Sequence, residues 1–250
     1  MYPRYSYPPH TIFGLAFNVI FGGRRSFHAD ALDCIALLKP PLHIHGAEYI
    51  PHSGPCLITF NHYYRPGFHA WWLAFGLAAA VPAEIHFGMT GELTYPGKWY
   101  APLGKAGSSW LLQHLSKIYG FTRMPPMPPR PQDVELRARA VRGFLAYAHA
   151  HPQAILGMAP EGGDNPPDGA LAWPSSGAGR FISHLAGLTF PVLPVGAYEE
   201  AGEFCLRIGC AYHLEIPRGI GAEERDRLTS ETVMHKIAAL LPARLRGDFQ

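Results

Sequence analysis

The chain has 250 residues, with 21 Lys and Arg against 19 Asp and Glu and a formal net charge of +2. This length suits one compact domain with a buried core. The small net charge argues against a nucleic-acid partner, and a hydrophobic content of 48% argues against a disordered chain.

The N-terminal residues 1–40 are predicted to form a helical segment. An apolar run at 11–23 and a second run at 29–38 predict two short helices, the second ending before Pro40. Arg24 and Arg25 follow the first run, and an apolar helix that ends in paired Arg suits an anionic lipid surface. The alternative is a helix packed on its own domain with a cationic C-terminal end. Both interpretations remain open at this point.

Strands and helices alternate through residues 41–250. The predicted strands are 42–46, 56–60, 85–89, 118–123, 154–158, 190–195 and 204–209, and the predicted helices are 68–81, 108–118, 134–149, 178–186 and 223–241. A Pro-rich stretch at 124–131 is predicted to be a stiff exposed loop. The alternation predicts an α/β fold, a single layered domain with a largely parallel central sheet flanked by helices.

Cysteine usage and hydropathy bear on the compartment. Four cysteines without C-x-x-C spacing predict buried free thiols in a reducing cytosol. No secretory signal is visible, and no stretch reaches the ~20 apolar residues of a membrane-spanning helix. No metal site is predicted, because His43 and His45 share a strand face without a third ligand.

Polar residues follow two of the predicted strands. Asn61 and His62 come directly after strand 56–60, and Glu161 comes shortly after strand 154–158. In parallel sheets, residues just beyond the carboxyl ends of the strands build the site. His62 is a candidate general base, because a neutral imidazole has a pKa near the working pH.

Four sequence blocks occur in a characteristic order. They are a lead-in at 45–55 that ends in Asn61-His62, Gly120-Phe121-Thr122-Arg123, Ala159-Pro160-Glu161-Gly162-Gly163, and Phe190-Pro191-Val192-Leu193-Pro194-Val195. With these blocks, residues 42–215 resemble the phospholipid/glycerol acyltransferase family, which includes lysophosphatidic acid acyltransferases.

The resemblance implies O-acyl transfer from a thioester, acyl-CoA or acyl-carrier protein, to a glycerolipid or other lipid-like hydroxyl. No cofactor is implied beyond that co-substrate. The resemblance also implies a cytoplasmic protein with peripheral contact at the inner face of a membrane. His62 would be the base, with Asn61 beside it. Glu161, Gly162 and Gly163 would form the loop that places the acceptor.

Two positions depart from the family pattern. The family carries Asp five residues after the His, where this chain has Gly67, and it carries Arg where this chain has Asp164. Arg123 matches the family's cation for an acceptor phosphate, and Arg65 is a candidate replacement cation. Because an orienting carboxylate is worth about 10⁴ in rate in the Ser-His-Asp triad, a non-catalytic relative that binds acyl chains or lipid is the alternative function.

Overall fold

The computed structural model describes residues 2–94, 97, 99–163, 168–188, 190–217 and 219–250. The helices in these ranges are α1 (Pro9–Phe21), α2 (Phe27–Ile35), α3 (Trp71–Ala80), α4 (Ala101–Tyr119), α5 (Val134–Ala150), α6 (Ala178–Gly187) and α7 (Ala222–Ala238). The strands are β1 (His43–His45), β2 (Cys56–Phe60), β3 (Ile85–Thr90), β4 (Thr122–Met124), β5 (Ile155–Met158), β6 (Val192–Glu200) and β7 (Glu203–Ile208).

One sheet of order β1-β7-β6-β2-β5-β3-β4 forms the centre of the molecule. The pairs β6–β2, β2–β5, β5–β3 and β3–β4 are parallel, and β6–β7 is the antiparallel pair. Helices cover the sheet, and all five residues of β2 are buried. The predicted α/β fold with a largely parallel sheet is therefore confirmed. Because five consecutive strands are parallel, their carboxyl ends meet at one edge of the sheet.

Most elements differ from their predicted bounds by one to three residues, and β4 begins at Thr122, four residues later than predicted, because α4 continues to Tyr119. β6 continues to Glu200 because it forms a hairpin with β7, turning at Ala201 and Gly202, which both have positive φ. α4 begins at Ala101, seven residues earlier than predicted, since Pro102 is tolerated in the first turn of a helix. α3 begins at Trp71 because a turn occupies the residues before it.

The N-terminal segment packs directly on the α/β domain. The ring of Tyr5 lies 4.8 Å from that of Trp72 and 6.2 Å from that of Phe204. The backbones of Arg4 and Lys39 pair in an isolated antiparallel β-bridge. These contacts order the residues before α1, while a division of the chain at residue 40 stays a prediction. In the part of the chain that the structure describes, no helix combines the length and apolar character needed to cross a bilayer.

The cysteines are free thiols, but one of them is not buried. Cys34, Cys56 and Cys205 lie in the core, and burial raises the pKa of the Cys34 and Cys56 thiols to about 12. Cys210 is exposed, because it lies just beyond the end of β7. The prediction of four buried thiols is therefore wrong at Cys210.

His86 is a buried titratable group on β3. Its ring stacks on Tyr147 at 3.6 Å between centroids, and its Nε2 lies 2.9 Å from Thr122 Oγ1. Burial lowers the pKa of His86 from 6.5 to about 4. On acidification, His86 therefore binds a proton near pH 6.5 in the unfolded chain but only near pH 4 in the folded chain.

We expect the free energy of unfolding to fall as the pH drops through this window, with His86 contributing about 2–3 kcal/mol of the loss by about pH 4.5. Urea unfolding of wild type and His86→Gln at about pH 7 and about pH 4.5 measures this contribution. His184→Gln, on the exposed face of α6, is the control and should retain the wild-type dependence. Equal pH dependence in wild type and His86→Gln would contradict the assignment of this loss of stability to His86.

Candidate active site

The predicted site residues lie along the carboxyl edge of the parallel strands. Asn61 and His62 follow β2, and Glu161 follows its neighbour β5. Arg123 lies in β4, two strands further along the same edge. The sheet order therefore brings His62 and Glu161 together and places Arg123 on the same side of the molecule.

Asn61 closes the end of β2. Its side chain donates from Nδ2 to the Ala197 carbonyl at 2.8 Å and accepts from the Ala197 N–H at 2.7 Å. The amide thus takes the place of a strand residue in the pairing with β6, and it is completely buried. These contacts give Asn61 a structural task, namely to fix the point where the chain leaves the sheet. A direct part in catalysis stays a prediction.

Glu161 is a buried carboxylate that joins two loops. Its Oε2 accepts the backbone N–H of His62 at 2.6 Å, and its Oε1 accepts the N–H of Ala172 at 3.0 Å. A carboxylate that accepts backbone N–H groups is stabilised in its charged form. Glu161 therefore fixes the main chain at His62 directly. Its predicted contact with an acceptor is a separate matter and stays a prediction.

The Gly162-Gly163 pair lies under the Pro-rich loop. A Cβ atom on Gly162, whose φ is +72°, would lie 3.3 Å from Met127 Cγ, and one on Gly163 would lie 3.1 Å from Met127 Cβ. Arg137 holds this loop by donating to the Pro126 carbonyl at 3.0 Å. The two glycines therefore permit the close approach of Met127 at the edge of the site.

Arg123 lies close to Gly91 and has a buried guanidinium nitrogen. Its Nε is buried and makes no hydrogen bond to any residue that the structure describes. The guanidinium lies against Gly91, where an added Cβ atom would be 3.3 Å from Nε. Asp164, the second departure from the family pattern, lies outside the described residues. The role of Arg123 as an acceptor-binding cation stays a prediction.

Arg65 is bound to a carboxylate that the sequence analysis did not single out. Its Nη2 donates to Glu199 Oε1 at 2.8 Å, and its Nε donates to Glu199 Oε2. The side chains of Arg65 and Glu199 are only 12% and 2% exposed. The charge of Arg65 is balanced by Glu199. Its role as a replacement cation for the acceptor stays a prediction.

Two tyrosine hydroxyls complete the surroundings of Glu199. Tyr5 donates to Oε1 at 2.6 Å and Tyr63 donates to Oε2 at 3.3 Å. Burial, reinforced by the Glu199 charge, raises the pKa of Tyr63 to about 12, so the hydroxyl remains a donor. Glu199 gave little signal in the sequence, because a Glu-Glu pair after an apolar run is typical of a solvated strand end.

Gly67, at the position of the family's Asp, occupies a tight turn. The Phe68 N–H donates to the Arg65 carbonyl at 3.0 Å, and Gly67 has a φ of +81°. Pro at the second position and a residue of positive φ at the third match a type II turn, which favours Gly there. Glycine at this position therefore has a local backbone reason.

The fold and the edge site define a layered α/β protein with a candidate active site where parallel strands end. No protein-family model and no curated protein matches the chain. A solved structure does match, that of the 1-acyl-sn-glycerophosphate (LPA) acyltransferase PlsC from Thermotoga maritima, with a TM-score of 0.52 and 16% sequence identity. The match covers 92% of this chain and 88% of the other. At this identity the match establishes a shared fold.

The positive φ of Gly67 predicts that a larger residue at this position lowers the free energy of unfolding. Gly67→Ala should destabilise the protein by about 1–2 kcal/mol, because a Cβ atom is disfavoured at positive φ. An added Cβ would meet only Arg65 Nη1 at 3.6 Å, so the cost is one of backbone conformation. Chemical denaturation measures the difference.

Gly143→Ala is the matched control, since Gly143 lies exposed in α5 with no atom near its Cβ position. That change should stabilise the protein by about 0.5–1 kcal/mol through helix propensity. A Gly67→Ala protein as stable as wild type would show that the turn does not require glycine.

Proposed function

We propose that this protein is an acyltransferase that moves a fatty acyl group from acyl-CoA or acyl-carrier protein to a lipid-like hydroxyl. The observation that carries the proposal is the position of His62. It lies at the carboxyl edge of the parallel strands beside Glu161, in a fold shared along 92% of the chain with an LPA acyltransferase. The four ordered sequence blocks support the same activity.

In the proposed reaction His62 acts as a general base. Its imidazole takes the proton of the acceptor hydroxyl while that oxygen attacks the thioester carbonyl. The tetrahedral intermediate then collapses, the C–S bond breaks, and the imidazolium returns the proton to the leaving thiolate. Because Nδ1 of His62 is buried, Nε2 is the nitrogen proposed to carry the proton. No covalent enzyme intermediate is needed.

The acceptor is proposed to lie between His62 and Arg123. The buried Nε of Arg123 offers a charge-assisted hydrogen bond to an anionic group on the acceptor. Asp164, in place of the family's Arg, argues against a doubly charged phosphate monoester in the same place. The acceptor is therefore proposed to carry one negative charge or none. Gly162 and Gly163 would shape the wall of its site.

One observation favours a second candidate, a non-catalytic protein that binds acyl chains or lipid. The family's carboxylate is absent at Gly67, and the turn there has no side chain to orient the imidazole of His62. This candidate predicts that an acyl thioester or a lysolipid binds without conversion.

An acyl-transfer assay with purified protein separates the two candidates. Acyl-CoA or acyl-carrier protein is supplied with a panel of lysophospholipids and monoacylglycerol, and thiol release and ester formation are both followed. Wild type should form ester. His62→Gln should lose about 10²-fold or more of the turnover, because general-base catalysis contributes that much.

His52→Gln, at an exposed position before β2, is the control and should keep wild-type turnover. Equal turnover by His62→Gln and wild type would eliminate His62 as the base. Thiol release accompanied by free fatty acid, without ester, would identify water as the acceptor. Binding without any product would favour the non-catalytic candidate.

We further propose that α1 and α4 hold the protein at a membrane surface. Thr11 is the one buried residue in α1, whereas Phe13 and Ile20, seven residues apart on one face, are 73% and 72% exposed. α1 packs beside α4, which adds exposed Leu103 and Trp110. Exposed apolar side chains on adjoining helices are typical of an interaction surface.

The charges around this surface suit anionic lipid. Neither α1 nor α4 contains Asp or Glu, while α4 carries Lys105 and Lys117. Arg24 beyond the end of α1 is exposed. Arg25, in contrast, is paired with Asp30. Of the two arginines that the sequence analysis considered, Arg24 is therefore the one proposed to meet a headgroup.

Vesicle flotation tests the membrane proposal. The double variant Phe13→Ser/Ile20→Ser should bind vesicles of phosphatidylglycerol and phosphatidylcholine at least about tenfold more weakly than wild type, because each buried apolar side chain contributes about 1.5–3 kcal/mol. Val134→Ser/Leu136→Ser is the matched control on α5, where both side chains are also exposed. Equal loss of binding in both double variants would contradict a specific role of α1.

A further inference from the structure

The buried carboxylate of Glu199 binds the part of the His62 loop that contains Tyr63 and Arg65. Glu199 lies in β6, two residues beyond Ala197, which pairs with Asn61. Two of its donors, Arg65 and Tyr63, belong to the His62 loop. A third donor, Tyr5, comes from the N-terminal segment.

The strand register explains why this position of β6 meets the loop. Phe60 of β2 pairs with Val195 of β6. Glu199 lies four residues beyond Val195, on the part of β6 that continues past the end of β2. β6 extends beyond the end of β2 and provides a rigid support on which the loop is bound by side chains rather than by strand pairing.

We propose that Glu199 is a positioning residue for the proposed acyl-transfer reaction, holding the His62 loop in its productive geometry through Arg65 and Tyr63. It takes over this task in a chain where Gly67 provides no carboxylate. The proposal rests on His62 being the base. Glu199 does not contact the reacting atoms in it, and acts only through the backbone of the loop.

The geometry favours a stiff support. Arg65 contributes two donor nitrogens to the two oxygens of Glu199, a bidentate arrangement that fixes orientation as well as distance. The Arg65 guanidinium is further covered by the ring of Tyr2, 3.8 Å away. The loop is also held at its start by Glu161, which accepts the His62 N–H. Residues 62 to 65 are thus restrained at both ends.

The chain contains a matched control cluster. Asp30 is also a buried carboxylate with a bidentate arginine, Arg25, and a tyrosine hydroxyl, Tyr119, at 2.8 Å. Arg25 and Tyr119 line a cleft with Ile85, the first residue of β3, at the edge of the sheet opposite to His62. Loss of either cluster should destabilise the protein comparably, whereas only Glu199 should affect His62.

The test compares Glu199→Gln with Asp30→Asn, and Tyr63→Phe with Tyr119→Phe, well below their melting temperatures. Two readouts are used, acyl-transfer kinetics and the imidazole Cε1–H NMR resonance of His62, assigned by its loss in His62→Gln. Glu199→Gln should lower kcat about tenfold or more with KM within about twofold, since misplacing a reacting group costs rate rather than binding. The His62 resonance should broaden or double.

Tyr63→Phe should act in the same direction but more weakly, and it replaces Glu199→Gln if that variant does not fold. Both Asp30→Asn and Tyr119→Phe should leave kcat and the His62 resonance unchanged. An unaltered His62 resonance in the Glu199 and Tyr63 variants, or an equal fall of kcat in the Asp30 variant, would overturn the proposal. If wild type forms no ester, the proposed function fails, and the resonance still tests the positioning role.

Discussion

The site depends on how β2 ends. At Asn61 the backbone leaves the sheet while β6 continues, so Ala197 would lose its partners on that side. The side-chain amide of Asn61 supplies both a donor and an acceptor to Ala197, and the buried strand stays satisfied. The next N–H, that of His62, is satisfied by Glu161 from the neighbouring β5 loop. The side chains of Asn61 and Glu161 thus provide the hydrogen bonds that strand pairing no longer provides, and they fix the backbone position of His62.

Two buried carboxylates then divide the work of holding this loop. Glu161 is stabilised by backbone N–H groups, whereas Glu199 is stabilised by the charge of Arg65 and by tyrosine hydroxyls. Burying a carboxylate without such partners is costly. Each carboxylate therefore favours one loop conformation, because a loop that moved away would leave the buried carboxylate without hydrogen-bond partners. Stability and placement of His62 are coupled through the same contacts.

The sequence predicted the sheet, its largely parallel order and the position of His62 and Glu161 just beyond the ends of strands, because alternation of elements and strand-end position are local signals. It did not predict the partner of Arg65, since Glu199 is 134 residues away and follows an apolar run as a solvated strand end would. It also placed the end of β6 too early, because the hairpin with β7 is stabilised by pairing rather than by composition. A buried ion pair between residues far apart in the sequence, such as Arg65 and Glu199, has no local sequence pattern that predicts it.

Under the proposed acyltransferase activity, Gly67 in place of an aspartate predicts a slow enzyme rather than an inactive one. An orienting carboxylate does two things: it holds the imidazole in place and it stabilises the imidazolium. The first task can be shared by contacts that restrain the loop, and here Glu161 and Glu199 restrain it at both ends. The second task needs a negative charge near the ring, and Glu161 is a buried carboxylate that accepts the backbone N–H of His62. In the proposed mechanism, a His62 that is positioned correctly but whose charged form is less well stabilised would lose rate without losing its role as the base.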